Sequence, residues 1–135
     1  MASGIYIDTS ALGRVLSNET MAGAIVAALV AFDRRVSSRL LGIELRRLGA
    51  RTGRSARAEA LLADVALVTL DDDVLGRADR IEPHTVATLD AIHLATAVRL
   101  AEAGDVDAVL TYDKQFIVGA RHHGIDVITP AATPS

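Results

Sequence analysis

Five short apolar runs recur along the chain, each too brief for a helix, and longer stretches with helical spacing fill the intervals between them. This alternation limits the fold more than any other feature. The runs are Ile5 to Asp8, Val36 to Ser38, Ala66 to Leu70, Ala108 to Thr111 and Val127 to Ile128. Unbroken apolar character over so few residues suits strands covered on both faces. The expected helices run from Ser10 to Leu16, Met21 to Phe32, Leu40 to Arg51, Ser55 to Asp64, Val74 to Arg80, Asp90 to Ala103 and Lys114 to His123, with Gly104 and Gly124 as C-terminal stops. Strands alternating with helices pair in parallel through right-handed crossovers, so the expected fold is a three-layer α/β/α sandwich with a central, mostly parallel sheet.

The chain has 135 residues, half of them hydrophobic. A chain of that size buries roughly 68% of its unfolded surface, which excludes a disordered linker or a coiled-coil rod. No repeat or internal linker divides it, so residues 1–129 form one expected domain and residues 130–135, within ITPAATPS, a flexible tail. There is no cysteine, which removes disulfide, thiolate and Cys-based zinc chemistry. MASGIYIDTS has no basic leader, and the longest apolar run, Met21 to Phe32, is far short of the ~20 residues of a membrane helix. A cytoplasmic protein without membrane attachment is the expectation.

In parallel sheets of this kind, sites form beyond the carboxyl ends of the strands. Asp8 closes the first run in IYIDTSAL, and Asp113 follows the fourth in AVLTYDKQF. Each alone also fits a helix N-cap. Two further acids sit on inward helix faces. In TLDAIHLATAVRLAEAG, Arg99 and Glu102 mark the wet side, and Asp90 projects roughly 150° from their midpoint, among Leu94, Ala97 and Ala101. An unpaired carboxylate there is disfavoured, so it needs either a cap on its own first turn or a metal ion. In RLLGIELRRLGAR, Glu44 falls in the apolar row with Leu40 and Leu48, where the alternative to a metal is an ion pair with Arg47 or Arg51.

These faces carry no lysine, arginine or histidine expected to neutralise them, so four clustered carboxylates repel one another unless cations bind. Oxygen ligands without cysteine suit Mg²⁺ or Mn²⁺ better than Zn²⁺. An acidic pocket with such cations serves phosphoryl chemistry, with a phosphodiester as the expected substrate. Net charge is −3, yet eight of the fourteen basic residues fall between Arg34 and Arg57, against the single acid Glu44. That window reads either as a solvated helix face or as a surface for phosphates, with Arg46, Arg47 and Arg51 as the candidate backbone contacts. Asp71, Asp72 and Asp73 read as a turn and helix cap, His93 as a packed histidine rather than a ligand, and His122 and His123 as a helix end suited to the dipole.

The segments IDTSAL, SRLLGIELRR, TLDAIHLATA and LTYDKQF, in this order and spacing, resemble the PIN-domain ribonucleases, and among them the VapC-type toxins of bacterial toxin–antitoxin pairs. The resemblance spans residues 5 to 128 and implies a catalytic quartet of Asp8, Glu44, Asp90 and Asp113, with Ser10 and Thr111 as supporting hydroxyls behind it. It implies the three-layer fold, Mg²⁺ or Mn²⁺ as cofactor, endonucleolytic RNA cleavage, a homodimer, and silencing by a cognate VapB-type antitoxin whose C-terminal segment covers the pocket. In that scheme Asp8, Asp90 and Asp113 ligate one cation, Glu44 holds a second or positions the attacking water, and cleavage leaves a 5′-phosphate and a 3′-hydroxyl. Two alternatives stand beside it. A phospho-receiver domain also gathers acids and Mg²⁺ at strand ends, but it needs a lysine after the fifth strand, and Lys114 comes after the fourth. The other alternative is a catalytically silent PIN scaffold used only for binding.

Overall fold

The first strand, β1 (Gly4–Ile7), is buried along its whole length, and its alternating side chains divide the molecule in two. In the computed structural model, which describes residues 3–131, it is the central strand of a five-stranded sheet. The other strands are β2 (Arg34–Ser38), β3 (Ala66–Val68), β4 (Ala108–Leu110) and β5 (Asp126–Ile128). Their order is β3-β2-β1-β4-β5 and every pairing is parallel, where the sequence supported only a mostly parallel sheet. The chain winds outward from β1 to β3, then returns past β1 to β4 and β5. The reversal lies between β1 and β4, the position at which open α/β sheets leave a crevice for ligands.

The helices are α1 (Thr9–Leu16), α2 (Ala22–Val30), α3 (Arg39–Thr52), α4 (Ser55–Leu62), α5 (Asp72–Arg80), α6 (Thr88–Glu102) and α7 (Lys114–His122). On one face, Ile5 and Ile7 of β1 pack with Leu12, Leu16, Leu41 and Leu45 from α1 and α3. On the other, Tyr6 packs with Val36, Leu94, Val109 and Phe116, under α6 and α7. The period-two alternation of strand side chains therefore builds both layers from four residues. α2 shows the same division on a helix: Ile25 and Leu29 are buried, while Val26 and Val30 are exposed.

Several boundaries move. β1 stops at Ile7, and Asp8 takes the N-cap position of α1 rather than closing the strand. α5 begins at Asp72, two residues before the expected start, because the Asp71 side chain accepts from the Val74 N–H and caps the helix. α6 begins at Thr88, which places Asp90 in its first turn instead of at its start. β3 ends at Val68 rather than Leu70, and α2 is trimmed to Ala22–Val30. Gly104 and Gly124 do follow helices, with φ of 79° and 74°. Of the expected tail, residues 132–135 lie outside the described residues, whereas the Pro130 carbonyl accepts a hydrogen bond from the Tyr112 hydroxyl.

Gly4 sets the spacing of the central strands. Its N–H donates to Asp107 Oδ2 at 2.9 Å and its carbonyl accepts from the Asp107 N–H at 2.8 Å. A Cβ at this position would lie 2.0 Å from the Asp105 carbonyl oxygen, so the turn entering β4 packs directly on glycine. Gly4→Ala is expected to lower stability by about 3 kcal/mol, because relief requires backbone movement rather than a rotamer change. Urea unfolding checks this: a midpoint equal to wild type would show that the turn is free to move.

Candidate active site

In a parallel α/β sheet, each helix that follows a strand starts at the sheet's carboxyl edge. α1 and α7, which follow β1 and β4, start there beside Asp8 and Asp113, and α6 brings Asp90 to them in its first turn. The partial positive charge of those ends offsets part of the cost of gathering carboxylates.

Asp8 is 4% exposed, and its side chain makes no cap bond to its own helix. Instead Oδ2 accepts from Ser10 Oγ at 2.6 Å and from Thr111 Oγ1 at 2.8 Å. Ser10 Oγ in turn accepts from the Tyr112 N–H, and Thr111 Oγ1 from the Asp113 N–H. Each hydroxyl thus spends its one proton on Asp8, and the pair ties the end of β1 to the turn after β4. Asp113 Oδ1 accepts from the Phe116 N–H at 3.0 Å, so the N-cap reading of this residue holds, and the charge of its carboxylate acts on Asp90. Partial burial, then the charges of Asp113 and Asp8, push the Asp90 carboxyl up to about 6, against a smaller opposing pull from His93. The structure therefore brings Asp8, Asp90 and Asp113 into one electrostatic cluster.

Glu44 reaches the same edge from α3, but neither Arg47 nor Arg51 is its partner. Its Oε1 accepts from Thr9 Oγ1 at 2.6 Å and lies 2.9 Å from His93 Nε2. The expectation that no histidine stands among the acids is corrected here. His93 is 1% exposed, its Nε2 lies 3.8 Å from Asp8 Oδ1, and it is hydrogen-bonded rather than merely packed. One helical turn separates it from Asp90, so the face that aims Asp90 at the site carries His93 behind it. Burial pulls His93 down, but Tyr6, Glu44 and Asp8 together outweigh that and hold its pKa above the usual histidine range. Burial likewise pushes Glu44 up, and the bonds from His93 and Thr9, with the His93 charge, reverse the sign and hold it low.

Thr9 and Tyr6 were not singled out from the sequence. Tyr6 had a signal: two residues before Asp8 on a strand, it must face the same side.

The arginine window divides. Arg46 is committed to Glu59 of α4, with Nε–Oε1 at 2.7 Å, which weakens its case as an RNA contact. Arg47 and Arg51 are exposed and, with Thr9, Glu44 and Leu48, line a cleft of about 300 Å³ beside the acids. Asp71 and Asp73 pair with Arg99 and stay outside the site, as the cap reading required. His123 Nε2 lies 2.7 Å from the Glu82 carbonyl.

The donor set suits a hard cation: carboxylate oxygens, a raised Asp90 that cation charge would relieve, and Asp8 Oδ1 left clear of the two hydroxyls on Oδ2. Among the described residues no three of these side chains already stand at ligand spacing about one point.

This architecture and acid cluster define a class. A profile of the PIN domain matches residues 5–122, and the chain belongs to the PIN domain family. Ribonuclease VapC47 of Mycobacterium tuberculosis is 35% identical over 135 residues, covering 95% of this chain and 98% of that relative. Ribonuclease VapC46 of the same species is 37% identical over 131 residues, covering 96% and 99%. The VapC-type resemblance therefore extends over nearly the whole chain. Among solved structures, a toxin-antitoxin complex from Klebsiella pneumoniae superposes with a TM-score of 0.73 at 20% identity, covering 96% of this chain and 99% of that one. Mycobacterium tuberculosis VapC20, a sarcin-ricin loop cleaving toxin, gives 0.66 at 18% identity, covering 84% and 93%. Both share the fold. The sheet order also differs from the 2-1-3-4-5 order of phospho-receiver domains.

The raised Asp90 makes stability pH-dependent in a definite direction. Its folded pKa of about 6 exceeds the ordinary 3.8, so the folded chain binds more protons between those values. The penalty is complete above the folded pKa and fades as pH falls toward the unfolded one. In chelator, Asp90→Asn is expected to melt higher than wild type at pH 7, with the difference shrinking toward pH 5. Differential scanning calorimetry at both pH values checks this; a lower melting temperature for the variant at pH 7 would make Asp90 a structural partner.

Proposed function

We propose that this chain is a Mg²⁺- or Mn²⁺-dependent endoribonuclease toxin of a type II toxin–antitoxin pair. The observation that carries the reading is the convergence of Asp8, Asp90 and Asp113 at the ends of β1 and β4, with the Asp90 carboxyl raised by its acidic neighbours. Two ribonuclease-named relatives support RNA as the substrate, and a fold neighbour solved as a toxin-antitoxin complex supports an antitoxin partner, which the family expectation makes VapB-type and seats over the acids. A homodimer follows the same family expectation. Among the described residues no helix is long and apolar enough to cross a membrane, which accords with a cytoplasmic substrate.

Asp8, Asp90 and Asp113 would hold the cation, and Glu44 a second cation or the attacking water. Bound there, the cation would supply Lewis-acid polarisation of the scissile phosphate and charge for the leaving oxygen. The protein's own contribution is positional. Ser10 and Thr111 fix one oxygen of Asp8, Thr9 and His93 fix one oxygen of Glu44, and the helix N-terminal ends favour anionic groups at the edge. Arg47 and Arg51 stand where a phosphodiester backbone would enter beside Glu44.

Alanine at Asp8, Glu44, Asp90 or Asp113 is expected to reduce RNA cleavage roughly a hundredfold, for ~3 kcal/mol of lost transition-state stabilisation. Cleavage of labelled RNA with Mg²⁺ or Mn²⁺ measures this. Near-full activity in any two variants would overturn the site; wild-type protein that binds Mn²⁺ and RNA without cleaving would be a binding module.

Charge removal tests the cleft separately. Arg47→Gln with Arg51→Gln is expected to flatten the salt dependence of single-stranded RNA binding by about 1.4 in log–log slope, for two lost phosphate contacts. Arg46→Gln, released from Glu59 only, is expected to change it little. Equal slopes in all three proteins would return Arg47 and Arg51 to a solvated face.

A further inference from the structure

The polar groups behind the acid cluster form a chain of their own. Tyr6 is completely buried at the centre of the sheet, and its hydroxyl lies 2.6 Å from His93 Nδ1. His93 Nε2 lies 2.9 Å from Glu44 Oε1, which also takes the Thr9 hydroxyl. Tyr6 and Phe116 flank the imidazole, with ring centroids 5.8 and 6.2 Å away, and fix its plane. Three elements that share no local sequence thus meet: β1 supplies the phenol, α6 the imidazole and α3 the carboxylate.

The donor at the Glu44 end is set by elimination. An ionised carboxylate only accepts, so the proton between His93 and Glu44 belongs to Nε2. Nδ1 then accepts from the Tyr6 hydroxyl when the ring is neutral, or donates to it when the ring is charged. The Nε2–H bond to Glu44 is the same in both states. Both donors fall on Oε1, which leaves Oε2 as the oxygen for a cation or a water.

We infer that His93 is a positioning residue: held by Tyr6, it donates from Nε2 to Glu44 Oε1 and so fixes which Glu44 oxygen faces the site. This rests on the proposed role of Glu44, and it assigns a task to a histidine that touches neither substrate nor cation. Partners that orient a ligand in this way are worth roughly 10–100-fold in metal affinity or activity when removed.

Two substitutions separate positioning from packing. Gln places an amide N–H near the Nε2 position and keeps the donor to Glu44; Asn places its amide nearer Nδ1 and loses that donor. His93→Gln is expected to bind Mn²⁺ within a few-fold of wild type, and His93→Asn roughly tenfold more weakly, at similar melting temperatures. In a Glu44→Gln background the two are expected to be equal, because the residue acts through Glu44. A role in packing alone gives equal Mn²⁺ affinities and equal Mn²⁺-dependent cleavage rates for the two variants in the wild-type background, which would overturn the inference. Should both variants fold poorly, the wild-type protein decides. Its imidazole Nε2–H is expected as a downfield, exchange-protected NMR resonance that shifts in Glu44→Gln and broadens in Tyr6→Phe. Absence of that resonance, or indifference to Glu44→Gln, overturns the inference. Absence of RNA cleavage with the resonance intact would instead overturn the nuclease reading.

Discussion

Like charges held close together at the end of a buried strand are the problem the rest of this structure solves. Asp8 follows the central strand as the N-cap of α1 with 4% of its surface exposed, and the cluster it forms with Asp90 and Asp113 raises the Asp90 carboxyl to about 6. Burial weakens the screening that water would provide, so these acids cannot remain ionised together without compensation. Three compensations are built in. Hydroxyls from Ser10 and Thr111 saturate one oxygen of Asp8, helix N-terminal ends face the carboxylates, and the Nε2 donor of His93 takes up one oxygen of Glu44. They are incomplete, since Asp90 is still raised, and the residual repulsion is what a bound cation would relieve.

The compensation depends on strand parity. Tyr6 and Asp8 point to the same side of β1, and Val36 and Ser38 to the same side of the adjacent β2, in register with Tyr6 opposite Val36. α6 packs across β2 on that side, which brings His93 between Tyr6 and the acids. Glu44 comes from the opposite layer and reaches His93 only because α3 starts at the carboxyl edge of β2, with Ser38 accepting from the Leu40 N–H as its cap. A one-residue slip of β1 would send Tyr6 and Asp8 to the other layer and leave His93 without its phenol partner.

Much of this was legible from local spacing. The alternation of runs implies the α/β sheet, and helical projection alone turns Asp90 and Glu44 inward. What stayed hidden was pairing across distance. Glu44 and His93 are 49 residues apart, as are no two partners that a helical repeat could join. Arg47 and Arg51 were the only partners visible to a local argument, and the fold passes both over for His93. The same limit explains Arg46, whose partner Glu59 lies on the next helix, and Asp71, whose first role as a cap was readable from sequence while its pairing with Arg99 was not.

The division of labour among the basic groups follows from the same geometry. The arginines that follow Glu44 on α3 stay at the rim: Arg46 pairs with Glu59, and Arg47 and Arg51 remain exposed beside Glu44. A guanidinium inside the cluster would neutralise the acids permanently and leave a cation nothing to relieve. Histidine offers a smaller solution. Its Nε2–H satisfies one Glu44 oxygen in either charge state, and with both Thr9 and His93 on Oε1 the second oxygen stays open. The His93 Nε2–H therefore orients an acid without closing it, and the rim carries the charge that would meet a polyanion.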